Sequence, residues 1–152
     1  MSPSVPFTIT SPAFGEGGAI PKRYTCDGPG VSPEIDWSGA PVGTGSLALT
    51  VIDPDARDFI HWLIYDIPRS ATGALPEGVG IASGPIPQGV NSSGRAAYMG
   101  PCPPSGVHHY VFTLYALDTM LGLTTPPKRA ELESAMKGHI RATAILTGTY
   151  AR

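Results

Sequence analysis

Four segments of the chain are apolar enough, or alternate regularly enough, to be strands of a buried sheet. "SLALTVID" (46–53) is almost continuously apolar and predicts a central strand. "HWLIYDI" (61–67) predicts a second, and "HHYVFTLYALD" (108–118), rich in β-branched and aromatic residues, the longest. "RATAILTGTY" (141–150) alternates threonine with apolar residues and reads as a late strand, while "FTIT" (7–10) and "EIDW" (34–37) are shorter candidates. One stretch has helical spacing, "TTPPKRAELESAMKGHI" (124–140). There Thr125 can cap, the two prolines fit the first turn, and Leu132, Ala135, Met136 and Ile140 form the inward stripe. Gly138 weakens the end. Many strands with one late helix predict a mainly β fold, a sandwich of antiparallel sheets with a short C-terminal helix before the last strand.

The chain has 152 residues and no internal repeat or long linker, so residues 1–152 are read as a single domain. Glycine (19) and proline (17) are abundant without a period, which suits short strands joined by irregular loops. A charged fraction of 14% and a net charge of -2 exclude a nonspecific nucleic-acid binder, which needs a clustered basic surface. No apolar run approaches the ~20 residues of a membrane-spanning helix. The start, "MSPSVPFTIT", has neither a basic nor an apolar leader region, which predicts a cytoplasmic protein. Two cysteines, Cys26 and Cys102, make no disulfide framework, and free thiols are expected in a reducing compartment. The alternative is an oxidised pair closing a long loop.

The candidate chemistry gathers at strand ends. In "DPDARDFIHWLIYDIP" (53–68), Pro54 cannot continue a central ladder, so Asp53 and Asp55 fall at the end of a strand and His61 opens the next. Strand alternation places His61, Leu63 and Tyr65 on one face, with Trp62, Ile64 and Asp66 on the other. In "YMGPCPPSGVHHYVFTLYALD" (98–118), a rigid Gly-Pro loop precedes a strand on which His108 and Tyr110 share a face. His109 points the other way and is read as structural. His139, near the helix end, is given no site role, and Trp37, Trp62 and Tyr115 are assigned to the core. Glu131 and Glu133 are read as a solvated helix face.

Other chemistries find less support. Two Asp and two His are metal-ligand types, but no H-x-x-x-H or H-E-x-x-H spacing occurs, so neither a metal nor another cofactor is expected. No G-x-S-x-G is present. Ser105 is only a loop serine near His108. Cys102 is better placed, but is read as a half-buried loop thiol.

Taken together, "YTCDGPGVSPEIDW", "DPDA", "HWLIYDIP", "YMGPCPPSGVHHYVFTLYALD" and "AMKGHI…TGTY" resemble the phosphatidylethanolamine-binding protein family, in its bacterial and archaeal Raf-kinase-inhibitor-like branch. The motifs run in order from about residue 7 to the C-terminus. The resemblance implies a β-sandwich with a small anion pocket at one end. Carried over residue by residue, it implies a ligand site of Asp53, Asp55, His61, Gly100, Pro101, His108 and Tyr110. It also implies a phosphate-like anion or phospholipid headgroup as ligand, a kinase or serine protease as an inhibited partner, and homodimers. The sequence departs from the family at Arg57, which stands where a proline is usual. The loop after it is about two residues short, and this is expected to bring a cation to the rim. Aspartates in an anion site are explained if they orient imidazoles and favour their charged forms. The function expected is a non-enzymatic binding protein with a preformed anion pocket. Inhibition of a kinase or protease through the surface, and weak hydrolysis, are the alternatives.

Overall fold

The computed structural model describes residues 5–70 and 72–152. Among these residues, seven strands and one α-helix follow one another as β1 (Thr8–Thr10), β2 (Ile35–Ser38), β3 (Ser46–Asp53), β4 (Phe59–Pro68), β5 (Thr72–Leu75), β6 (Val107–Leu117), α1 (Arg129–Met136) and β7 (Ile140–Ala151). They form two antiparallel sheets, a small one ordered β1-β2-β5 and a larger one ordered β4-β3-β6-β7. The expected sandwich is present, with its short helix before the last strand.

The near-continuous apolar run of β3 is explained by its place between β4 and β6, where both faces are covered. Leu47, Leu49 and Val51 pack into the main core with Ile9, Ile35 and Trp37 of the small sheet. Ala48 faces the opposite side, in a second core with Leu63 and Tyr65 of β4 and with Leu132 and Met136 of α1.

Two expectations about the helix need correction, and one strand was not expected. The helix begins at Arg129, after Lys128, whose N–H donates to Glu131 Oε1 at 3.0 Å. Glu131 thus caps from inside, and Thr125, Pro126 and Pro127 belong to the preceding loop. Ile140 is outside the helical stripe, because Gly138 (φ +83°) turns the chain and Ile140 opens β7, 43% exposed. Finally, β5 has no apolar pattern to announce it. Its Gly73 passes under the Trp37 indole, and a Cβ there would lie 2.8 Å from the ring.

The cysteines are not free thiols. Cys26 and Cys102 form a disulfide across 76 residues of sequence. Chain folding brings the two segments together: Cys26 N–H donates to the Pro101 carbonyl at 3.1 Å, and Tyr98 Oη donates to the Tyr24 carbonyl at 2.7 Å. A count of two cysteines carries no information about such a juxtaposition. The bridge fastens the loop 99–104 to the segment 22–30. The double substitution Cys26→Ser, Cys102→Ser is expected to lower stability by about 4 kcal/mol, through the entropy of a long unfolded loop. A fall in the urea midpoint measures this. An unchanged midpoint would mean that the two segments hold together without the bridge.

Candidate functional site

The site is built on the carboxylate that ends β3. Asp53 is 2% exposed, and each of its oxygens takes one donor. Oδ1 accepts the Asp55 N–H at 2.8 Å, which stops the strand and starts the 3-10 turn Pro54–Ala56. Oδ2 accepts His108 Nδ1–H from β6 at 2.6 Å. The local role expected of a strand-ending aspartate and the functional role are therefore shared by one side chain. With Nδ1 held by the carboxylate, His108 presents Nε2 outward.

Asp55 is turned elsewhere. Its Oδ2 accepts both the backbone N–H and Nδ1–H of His109, each at 2.8 Å. These bonds, the ring's first and the backbone's second, hold its carboxyl below the usual carboxylate range. Asp55 does not line the cavity. It fastens the turn to the exposed side of β6, and the histidine read as merely structural is its partner.

His61 reaches the site through a β-bulge. Ile52 pairs with Ile60 while Val51 pairs with Trp62, so His61 is an extra residue between two register positions. The simple alternation expected along β4 fails there. Ile60 joins Leu63 in the second core, and His61 turns toward Tyr110, its ring edge-on at 5.1 Å between centroids. Bulges commonly re-aim a side chain in this way beside functional sites. His61 Nδ1–H donates to the Met99 carbonyl at 2.7 Å, and Met99 N–H donates back to the His61 carbonyl at 2.9 Å. Burial holds the ring below its ordinary pKa of 6.5, against upward pulls from the Met99 bond and the Asp53 charge.

Gly100 and Pro101 stand behind the wall rather than in it. A Cβ on Gly100 would sit 2.6 Å from the Tyr24 carbonyl oxygen and 2.9 Å from Thr25 Cα, so only glycine lets the loop lie this close. The wall itself is Met99, Cys102, Pro103 and Pro104, facing Ala56 and Phe59 across a cavity of about 190 Å³. Asp53, His61, His108 and Tyr110 supply its polar groups. The Tyr110 hydroxyl is buried and, among the described residues, has no hydrogen-bond partner. Burial first, then the charges of Asp53 and Asp55, push the phenol upward, so it stays protonated.

The family model for phosphatidylethanolamine-binding protein matches residues 10–151. The chain belongs to this family. A UPF0098 protein of Methanothermobacter thermautotrophicus is 46% identical over 145 residues, covering 92% of this chain and 95% of that one. Among solved structures, a phosphatidylethanolamine-binding protein (PEBP) homolog of Chlamydia trachomatis, CT736, matches with a TM-score of 0.89 at 40% identity, over 97% and 98% of the two chains. YbcL of E. coli, described as a member of the mammalian PEBP family, matches with a TM-score of 0.87 at 32% identity, over 97% and 99%. The resemblance to the PEBP family read from the motifs is thus correct.

Within this PEBP fold, sequence reasoning brought Asp53, His61, His108 and Tyr110 to one cavity, and the structure places them there. It missed the lining by Ala56, Phe59, Met99, Pro103 and Pro104, for which the doubled prolines were the available signal. Arg57 is exposed and does not line the cavity, so the short loop supplies no rim cation. What the short loop does require is two consecutive left-handed residues, Arg57 (φ 55°) and Asp58 (φ 57°).

The state of His61 predicts a pH effect on stability. Its pKa is lower folded than unfolded, so the unfolded chain binds more protons once the pH falls below about 6.5. The stability that depends on a neutral ring is complete above that pH and is lost progressively below it. His61→Asn should flatten the decline in urea midpoint between about pH 6.5 and pH 5. Wild type and variant declining in parallel would show that His61 is not the titrating group.

Proposed function

We propose that the chain is a non-enzymatic binding protein whose cavity holds a small phosphate-bearing anion. The observation that carries this reading is the Tyr110 hydroxyl, buried and unpartnered beside an imidazole that Asp53 holds in place. A buried polar group without a partner costs about 1–3 kcal/mol, and a ligand oxygen would relieve that cost. An oxyanion also favours the charged form of a carboxylate-oriented imidazole, whose outward N–H then donates. Phe59, Pro103 and Pro104 suit the apolar part of an ester. Family membership supports a ligand-binding role, and the nature of the ligand is read from the cavity.

The non-enzymatic part of the reading rests on what the cavity offers a reaction. Cys102 is tied up in the disulfide and supplies no thiolate. Ser105 is an exposed loop residue. The bridge also bears on location. Disulfides persist in oxidising compartments, so we read the protein as working in one, in place of the cytoplasmic setting suggested by its N-terminal sequence. Alkylation and mass spectrometry of protein taken from its own cells test this. Recovery with both thiols reduced would return the reading to the cytoplasm.

Calorimetry with phenyl phosphate tests the function. Saturable binding at one site, with no phenol released, is expected. His108→Ala should cost about 1.5–3 kcal/mol of binding free energy, the value of a charge-assisted hydrogen bond. Tyr110→Phe should act in opposite directions on two quantities. It weakens binding, yet raises the stability of the ligand-free protein by about 1 kcal/mol, since a buried orphan hydroxyl is removed. Loss of stability together with unchanged binding would place Tyr110 in the core and outside the site.

A further inference from the structure

The Cys26–Cys102 bridge lies at the surface. Both cysteines are exposed, although Pro101 and Pro103 on either side of Cys102 are buried. Cys102 also lines the cavity, so the bridge runs from open solvent to the cavity wall. Exposed bridges are the labile ones, because an external thiolate can reach their sulfurs. A cation stands over this pair. Arg152 Nη1 lies 3.4 Å from Cys102 Sγ and 3.9 Å from Cys26 Sγ. The guanidinium is held there: Nη2 lies 3.5 Å from Asp27 Oδ1, and Asp27 Oδ2 accepts the Tyr150 hydroxyl at 2.5 Å. The Arg152 backbone exchanges two hydrogen bonds with Gly106, just beyond the wall loop, at 2.8 and 3.1 Å. An intact bridge carries no charge and gives a cation nothing to neutralise. A thiolate does, and a neighbouring cation favours its charged form.

We propose that this bridge is a thiol–disulfide exchange site for a dithiol reductant, and that its opening lowers the affinity of the cavity for anions. The second half rests on the oxyanion reading above, and the first does not. A thiolate of the reductant attacks Cys26 Sγ and forms a mixed disulfide there. The Sγ–Sγ bond breaks, and its electron pair leaves on Cys102 Sγ, the sulfur nearer Arg152. A leaving sulfur whose charge is stabilised departs faster. The second thiolate of the reductant then attacks the reductant's own sulfur in the mixed disulfide. That step closes the reductant's disulfide and expels Cys26 Sγ. Two electrons have passed to the bridge, one thiol proton ends on Cys26 and the other is released to solvent. Opening acts on the cavity in two ways. The wall loop loses its covalent tie, and the Met99 carbonyl that holds His61 loses support. The Cys102 thiolate also adds negative charge to a lining that holds Asp53 and, among the described residues, no lysine or arginine. Both changes act against an anion.

The test treats the intact, folded protein with dithiothreitol at neutral pH without denaturant, and follows the bridge by alkylation and mass spectrometry. The bridge should open in the native state. Arg152→Gln should slow opening by roughly 3- to 10-fold, the effect of a poorer leaving thiolate, while Arg152→Lys keeps the charge and most of the rate. Glutathione, which has one thiol, should leave its adduct on Cys26, and an adduct on Cys102 would overturn the assignment of the two sulfurs. A bridge that opens only in denaturant, or an Arg152→Gln protein that opens as fast as wild type, would overturn the exchange site. Calorimetry with phenyl phosphate then compares the oxidised and reduced proteins. Reduction should weaken binding by roughly 10-fold or more, as expected for one added charge at a partly buried site, and reoxidation should restore it. Equal affinity in the two states would overturn the control of the cavity and leave the oxyanion reading standing. Binding by neither state would overturn that control and the oxyanion reading together, while the opening rates still decide the exchange site.

Discussion

The arrangement of the site depends on one buried carboxylate with two jobs. Asp53 ends β3 by accepting the backbone of the following turn, and with its other oxygen it holds the His108 ring. Both oxygens have donors, so a nearly inaccessible charge is tolerated. The same residue therefore couples strand termination to site geometry. If β3 ended one residue earlier or later, the carboxylate would point to the opposite face of the sheet and the ring would lose its holder.

The opposite wall is fixed in a different way. The loop 99–104 has no strand to hold it, and a loop so rich in proline has few N–H groups to donate. It is held instead by Gly100 lying against the Tyr24 and Thr25 backbone, by the Cys26 N–H on Pro101, and by the disulfide beside it. The wall in turn positions His61 through the Met99 carbonyl. The cavity thus has two histidines with different supports, one on a carboxylate and one on a carbonyl. That difference, rather than the mere presence of two imidazoles, determines what each can offer a ligand.

Much of this was legible in the sequence, for identifiable reasons. Strand β3 is read from its apolar run because it is central and covered on both faces, and β6 from its length and its β-branched and aromatic content. His108 and Tyr110 share a face on an unbroken strand, so simple alternation places them correctly. Alternation fails for His61 because a bulge is a register event between two strands, and no single segment records it. Asp55 was assigned to the site by the family resemblance, whereas the three-residue turn carries it round to His109. The disulfide was read only as the alternative to free thiols, and β5 was missed, for a related reason: each exists because of contacts with distant segments, Cys26 through the wall loop and Gly73 through Trp37.

The central claim is that each histidine is locked in one protonation pattern by a different acceptor. Long-range nitrogen–proton NMR of the imidazole side chains reads this directly in the ligand-free protein at neutral pH. The account predicts His61 with its proton on Nδ1 and a bare Nε2, and His108 with a proton on Nδ1 toward Asp53. It also predicts that Asp53→Asn disturbs the His108 signals and leaves those of His61 in the same tautomer. A His61 protonated on Nε2, or a His108 with a bare Nδ1, would contradict it.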